Sequence, residues 1–428
     1  MKSINKFLLL MIMTVLLVGN AWGAGEKEGA SSGPVVLDFV NWATAEEQTR
    51  IRVEGLIAKF EAENPGIKIN SITSGFSDIL NQLTVMQNAG DAPDIAQAAG
   101  VNVSALYMMG ALEPVDKLFS QELQDDFFDS MYDLLVYDGK HYGVPWGGAS
   151  FGFQYNRDLM IQAGLDPNNP PKTFVEFQNA VRKARKALPE SVVIMGLDTS
   201  MRVFGFEHNY PFLLAADADP FLQKPLRFDT PAIKAYLEWL REAARGNYTL
   251  ANKKLGEFRP IAAQGRLLFM FDQQHIKGTV KSLNPALTDE EFNRLWGVVT
   301  MPANAAGIQQ TTSADHQLVV FKDSPHKKEA AKFVEFLVNS DYAIEKYIKV
   351  MGMTPTKSGI KRFPEYLTDP ILSGFINDVI PSVVPVPYGQ DFSELALIFM
   401  SGVQDAMTGN KSIDEITSDM QAKVERIR

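Results

Sequence analysis

Two hydrophobic periods take turns along residues 35–98, and that alternation restricts the chain to few folds. Val35-Val-Leu-Asp-Phe-Val40 is an apolar, β-branched run suited to a buried strand. A helical pattern follows from about Glu46, with Ile51, Leu56, Ile57 and Phe60 at helical spacing. Thr44 and Glu47 stand three apart, the spacing of a capping box, and Asn64-Pro-Gly66 ends the helix. Ile67-Lys-Ile-Asn-Ser-Ile72 alternates as a strand, a helix is expected over 76–88, and Asp94-Ile-Ala96 opens a third strand. Strands alternating with helices specify βαβ units, so the fold class is α/β with a mostly parallel sheet.

The pattern continues. Asp138-Gly139 between strand-like flanks marks a hairpin at 137–142. Thr173 and Glu176 give a second capping-box spacing. Helices are expected over 231–245, 257–264 and 273–283, and short strands over 192–195, 267–271, 296–300 and 316–321. Pro325 opens a helix through Val338, Asp341 caps another to Lys349, and the C-terminal stretch reads as helical.

Lys2 and Lys6 precede an apolar run at 7–18 and small residues ending at Ala24. This is the layout of a secretory signal over 1–24, with an apolar run shorter than the ~20 residues a spanning helix needs. GEKEGASSG (25–33) reads as a flexible linker. The 428 residues contain no cysteine, so disulfides, thiolate metal sites and a lipid-anchored cleavage point are all excluded. The expectation is a free periplasmic protein, and a monomer. A net charge of −10 argues against nucleic acid or an anionic membrane as partner. The histidines, at 141, 208, 275, 316 and 326, include no i, i+4 pair, and neither Walker A nor G-x-G-x-x-G occurs, so no metal and no cofactor is expected.

Gly148-Ala-Ser150-Phe-Gly152 fits the G-x-S-x-G pattern of a serine hydrolase elbow. An elbow needs a helix directly after the serine. Here Phe151-Gly-Phe153-Gln-Tyr155 alternates, so the strand continues and no catalytic residue is assigned. Carboxylates are plentiful, so the residues alone leave a two-carboxylate glycosidase open.

Several segments, taken in order, carry a family resemblance: LIAKFEAENPGIKI (56–69), GDAPDI (90–95), GALEPVDKLF (110–119), YGVPW (142–146), YNRDLMIQAGL (155–165), LVVFKDSPHKKEAAKFVEFLVN (318–339) and GMTPTKSG (352–359). The chain resembles the family 1 extracellular solute-binding proteins, maltose-binding-protein-like sugar receptors of ABC importers. The resemblance implies a two-lobe periplasmic-binding-protein fold with a central ligand cleft and an interlobe hinge. It implies lobes at 34–147 plus 316–362 and at 148–315 plus 363–428, with crossovers near 147–151, 311–315 and 361–363. Gly147, Gly148 and Gly152 suit a hinge, because glycine absorbs large backbone changes. The implied partners are a carbohydrate and the membrane permease of an ABC transporter. A polyamine, a sugar phosphate or, in another class, a secreted carbohydrate-active hydrolase are the alternatives.

A sugar offers hydroxyls and flat C–H faces, so its site needs aromatic plates and planar polar groups at the carboxyl ends of strands. Trp42 ends the first strand, Gln97 and Asn102 follow the third, and Asp272 follows the strand at 267–271. Trp146, beside the hinge, is the expected stacking platform. The family often places Gly-Pro-Trp after its Gly-x-x-x-Met segment. Here Gln273-Gln-His275 stands there instead, which points Gln273, Gln274 or His275 at the ligand. Glu207 and His208, Asp315 with His316, Met351 and Tyr388 complete the ligand-binding candidates. Each also has a plain structural reading, as core filler or a satisfied polar pair.

Overall fold

The computed structural model describes residues 33–427 except 46, 314 and 315. The leader at 1–24 and nearly all of the linker therefore lie outside the described residues, as does Asp315. In chain order the strands are β1 (Val35–Asn41), β2 (Ile67–Thr73), β3 (Ile95–Ala98), a hairpin of β4 (Val136–Tyr137) and β5 (Lys140–His141), β6 (Val144–Pro145), β7 (Gly152–Asn156), β8 (Val193–Gly196), β9 (Leu267–Asp272), β10 (Trp296–Val299) and β11 (Gln317–Val320).

They form two main sheets, one for each lobe of an α/β two-lobe fold. The first has the order β2-β1-β3-β11-β6 and the second β10-β7-β9-β8. The mostly parallel expectation needs correction. β1 runs parallel to β2 and β3, but β11 is antiparallel to β3 and β6, and in the second sheet only β8 and β9 are parallel. β11 enters the first sheet, and β7 the second, by crossing over from the other sheet. Neither is delivered by the local βαβ crossover that enforces parallel pairing.

Each sheet buries helices on its faces. Leu37 and Phe39 of β1 pack with Val53, Leu56 and Phe60 of the helix Glu47–Glu63 and with Phe333 and Leu337 of the helix Lys327–Asn339. In the second sheet Phe153, Phe269 and Phe271 meet Phe177 of the helix Phe174–Ala187, while Phe206 meets Phe399. The helix Phe174–Ala187 forms as its pattern dictates. Phe174, Phe177, Val181 and Ala184 make one buried stripe, and Thr173 Oγ1 accepts from Glu176 N at 3.2 Å while the Glu176 carboxylate accepts from Thr173 N. The Thr44–Glu47 box does not form. Asn41 Oδ1 accepts from both the backbone N and the hydroxyl of Thr44 at 2.9 Å, and Glu47 pairs with Arg50.

The chain passes from the first sheet to the second between Pro145 and Gly152, and returns between Val299 and Gln317. Three extended segments lie side by side there. Ser150 bridges Ser313, and Thr311 bridges Val383. The third segment is thus near 383. Residues 361–363 sit instead at the end of the helix Lys357–Arg362, where Ile360 packs in the first core. Of the three glycines, Gly147 needs its residue type for its φ of 109°. Gly148 and Gly152 are small for packing reasons, since an added Cβ would come 2.5 Å from Met131 or 2.6 Å from Phe375. Ser150 is buried beside the Ser313 hydroxyl at 3.3 Å. No helix among the described residues is long and apolar enough to cross a membrane.

Candidate functional site

Both sheets turn strand ends toward one cleft of about 590 Å³, within the range of about 300–1,000 Å³ usual for small-molecule sites. Trp42 and Ala43 follow β1, and Gly100 follows β3. Opposite them, Gln273 and His275 follow β9, while Phe204 and Glu207 stand on the helix Val203–Ala215. Loops after parallel strands emerge on one edge, which is why these residues gather in a crevice.

The apolar part is aromatic. Trp42 stands edge-on to Phe76 at 5.3 Å and to His316 at 5.2 Å between ring centres. Phe76 meets Phe204 at 6.3 Å, so the two walls touch at one rim. Tyr388 lies against Gly100, where a Cβ would come 2.6 Å from its ring, and its hydroxyl donates to Glu207 Oε1 at 2.7 Å.

The polar part is charge-balanced. Arg259 grips Asp272 with both arms, Nε to Oδ2 at 2.9 Å and Nη2 to Oδ1 at 3.1 Å. Burial would raise the Asp272 carboxyl, but the Arg259 charge and hydrogen bonds hold it below the usual carboxylate range. Nη2 also donates to His275 Nε2 at 2.9 Å. Burial, reinforced by the Arg259 charge, pushes the His275 ring down to about 3, and burial alone takes His316 to about 4. Both imidazoles are neutral at physiological pH. Glu207 moves the other way. Burial raises its carboxyl to about 7, against the pull of the Tyr388 hydrogen bond and Arg202.

Of the expected ligand residues, Trp42, Glu207, Gln273, His275, Met351 and Tyr388 line the cleft. Four others support it from behind or lie in the core. Gln97 accepts the backbone N–H groups of Trp42 and Ala43, Asn102 caps its own helix through Ala99 N at 2.9 Å, and Asp272 backs Arg259. His208 is filled at both nitrogens, Nδ1 accepting from Asp198 N at 3.2 Å and Nε2 donating to the Phe271 carbonyl at 2.6 Å. Gln274 also turns away from the cleft, donating Nε2 to the Gly148 carbonyl and to Thr354 Oγ1.

Trp146 is the main correction. It is 0% exposed, stacks on Tyr347 at 4.8 Å between ring centres, and meets Phe39 edge-on at 6.1 Å. Its flat face is covered by Tyr347, a cleft-lining residue, so Trp146 belongs to the first core, one layer back. Asp315 lies outside the described residues. Sequence reasoning missed Arg259, Phe76 and Phe204. The available signal for Arg259 was a single charge inside Phe258-Arg-Pro-Ile-Ala-Ala263, an otherwise apolar stretch.

The architecture has counterparts among known proteins. A Brucella abortus (strain 2308) protein is 24% identical over 94% of this chain and 98% of its own length. The maltotriose-binding protein of Pyrococcus abyssi (strain GE5 / Orsay) is 23% identical, covering 82% of this chain and 72% of that protein. The sn-glycerol-3-phosphate-binding periplasmic protein UgpB of Escherichia coli (strain K12) is 24% identical, covering 74% of each. Among solved structures, an ABC transporter solute-binding protein from Thermotoga lettingae bound to α-D-tagatose superposes with a TM-score of 0.77 at 21% identity, over 92% of this chain and all of that one. The family model for the bacterial extracellular solute-binding proteins matches residues 47–344, most of the chain, and the chain belongs to that family.

Proposed function

We propose that this chain captures a neutral sugar or short oligosaccharide between its lobes and delivers it to the permease of an ABC importer, without altering it. The relatives that bind maltotriose and tagatose support a sugar. The similarity to UgpB raises a phosphorylated solute instead. Charge favours the sugar, and it is the observation that carries the reading. Arg259 is already matched by a buried carboxylate, His275 and His316 are neutral, and Glu207 adds partial negative charge. A phosphate would enter a cleft with no net positive charge to meet it, whereas hydroxyls would find a guanidinium, amides and aromatic faces. With the third crossing near Val383, the lobes are taken as 34–147 with 316–382 and 148–315 with 383–428, which leaves Tyr366, Ile376 and Ile380 with the first core they pack in. Trp42, Glu207, Gln273, His275, Met351 and Tyr388, together with Arg259 and His316, are the proposed ligand contacts.

Lobe closure is the mechanism proposed with it: the walls already meet at Phe76 and Phe204, and a solute touching both would favour this arrangement over a more open one. The test is a thermal-shift panel of mono- and oligosaccharides beside sn-glycerol 3-phosphate and spermidine. A sugar at a hundred times its dissociation constant should stabilise by about 2.7 kcal/mol. A shift with glycerol phosphate or spermidine but no sugar would overturn the reading. Incubation with the sugars that bind should leave them intact by chromatography, and products would point to an enzyme. The leader and linker at 1–33 fit export to the periplasm as a free, monomeric protein.

A further inference from the structure

His316 faces the cleft with a ring whose proton can sit on either nitrogen, and the choice decides whether the wall donates or accepts there. Gln97 makes that choice. Its side chain is 0% exposed at the end of β3, and its Oε1 accepts the backbone N–H of Trp42 at 3.1 Å and of Ala43 at 3.0 Å. Backbone nitrogens donate and never accept, so the oxygen must lie on that side and the amide NH2 on the other. There Nε2 lies 3.2 Å from His316 Nδ1. An amide NH2 is a donor, so Nδ1 must accept and carry no proton. The neutral ring is then protonated at Nε2.

We propose that Gln97 is a positioning residue that holds His316 as the Nε2–H tautomer, so that the cleft offers an N–H donor to an acceptor oxygen of the solute. Two backbone amides of the β1–helix turn thus set the polarity of a side chain on the far side of Gln97. Burial keeps the ring neutral. The other titratable groups lining the cleft are Glu47, Glu207, Arg259, His275, Tyr347 and Tyr388, and the neighbouring Asp315 lies outside the described residues. The same logic gives His275 the opposite tautomer, because Arg259 Nη2 can only donate to its Nε2. His208 shares the Nε2–H form, with its proton spent on the Phe271 carbonyl. Of the three rings only His275 is set apart by its tautomer, so telling His316 from His208 needs an assignment by substitution.

The solute side of this inference rests on the cleft being the sugar site; the tautomer does not. Long-range proton–nitrogen spectra of the full chain labelled with ¹⁵N-histidine, without any sugar, read the tautomer directly, with His316→Gln assigning the signal. Wild type should show His316 protonated at Nε2 and unchanged from pH 5.5 to 8. Gln97→Glu keeps an oxygen for both backbone amides but puts a second acceptor opposite Nδ1. His316 should then gain a proton at Nδ1 and titrate above pH 6. A wild-type ring protonated at Nδ1, or charged at pH 6, overturns the proposal, and that spectrum decides even if Gln97→Glu does not fold. So does a folded Gln97→Glu protein with an unchanged His316 pattern. With D-tagatose and maltose as calorimetric probes, Gln97→Glu should lower affinity at least tenfold and make it pH-dependent. Equal affinity alongside an altered tautomer would overturn the ligand role alone. If neither these nor any sugar of the thermal-shift panel binds, the sugar reading fails while the spectra still decide the tautomer.

Discussion

Glu207 holds a proton in the folded state that it gives up in the unfolded one, because burial raises its carboxyl from 4.5 to about 7. Its contribution to stability is therefore full below pH 4.5 and lost as pH rises through 7. His275 and His316 act in the opposite sense. Their rings fall from 6.5 to about 3 and about 4, so their contribution is full above pH 6.5 and lost as pH falls through those values. Glu207→Gln keeps an acceptor for Tyr388 but cannot titrate. Calorimetric melts should show the wild type losing stability from pH 5 to 8 relative to this variant, and parallel profiles would rule out the shifted carboxyl. Asp272→Asn removes the counter-charge of Arg259. Because Arg259 is 25% exposed, we expect a cost of about 2 kcal/mol in urea unfolding, below that of a fully buried broken pair. The Arg259 guanidinium would then lack its buried counter-charge, and titration should show stronger binding of sn-glycerol 3-phosphate than in wild type. Trp146→Ala empties a core position, and should cost about 3–5 kcal/mol in the same unfolding assay. Trp146→Phe should bind a sugar nearly as wild type does; loss of binding without loss of stability would return Trp146 to the site.

At the scale of elements, the start of the helix Gly100–Met108 bears directly on Tyr388. Gly100→Ala would place a methyl 2.6 Å from the Tyr388 ring. It should weaken sugar binding about tenfold or more with little change in melting temperature, since the strain falls on the contact between walls. Gly100→Ala combined with Tyr388→Ala should remove that strain, and an undiminished loss of binding in the double variant would refute the contact. The elements themselves were largely legible. The periods of 35–98 and the Thr173–Glu176 spacing are local signals, and strands and helices followed from them. What escaped was set by distant partners. The direction of β11 depends on a crossover, and Asn41 outcompetes Glu47 for Thr44 only once the β1 turn exists. Trp146 and Arg259 exchanged roles for the same reason. No local pattern says that Tyr347 will cover the indole or that Asp272 will hold the guanidinium at the cleft wall.

On the scale of the whole molecule, closure as proposed predicts compaction on binding. Small-angle scattering with a sugar that raises the melting temperature should give a smaller radius of gyration than without it, and no change would count against lobe movement. The joint between the sheets limits how that movement can proceed. Phe151 N donates to the Thr312 carbonyl at 3.0 Å, Thr311 Oγ1 donates to the Phe151 carbonyl at 2.6 Å, and Val384 N donates to the Thr311 carbonyl at 2.8 Å. Gln274 adds a further tie from beyond β9 to Gly148 and Thr354. Segments laced edge to edge bend readily across their common line but resist sliding past one another or twisting. The joint behaves like a door hung on a long pin rather than a ball in a socket. Under the proposed closure such a joint would leave the lobes a single rotational freedom, and every solute the protein accepts would be trapped by the same swing, so differences in affinity would arise at the walls and not in the path.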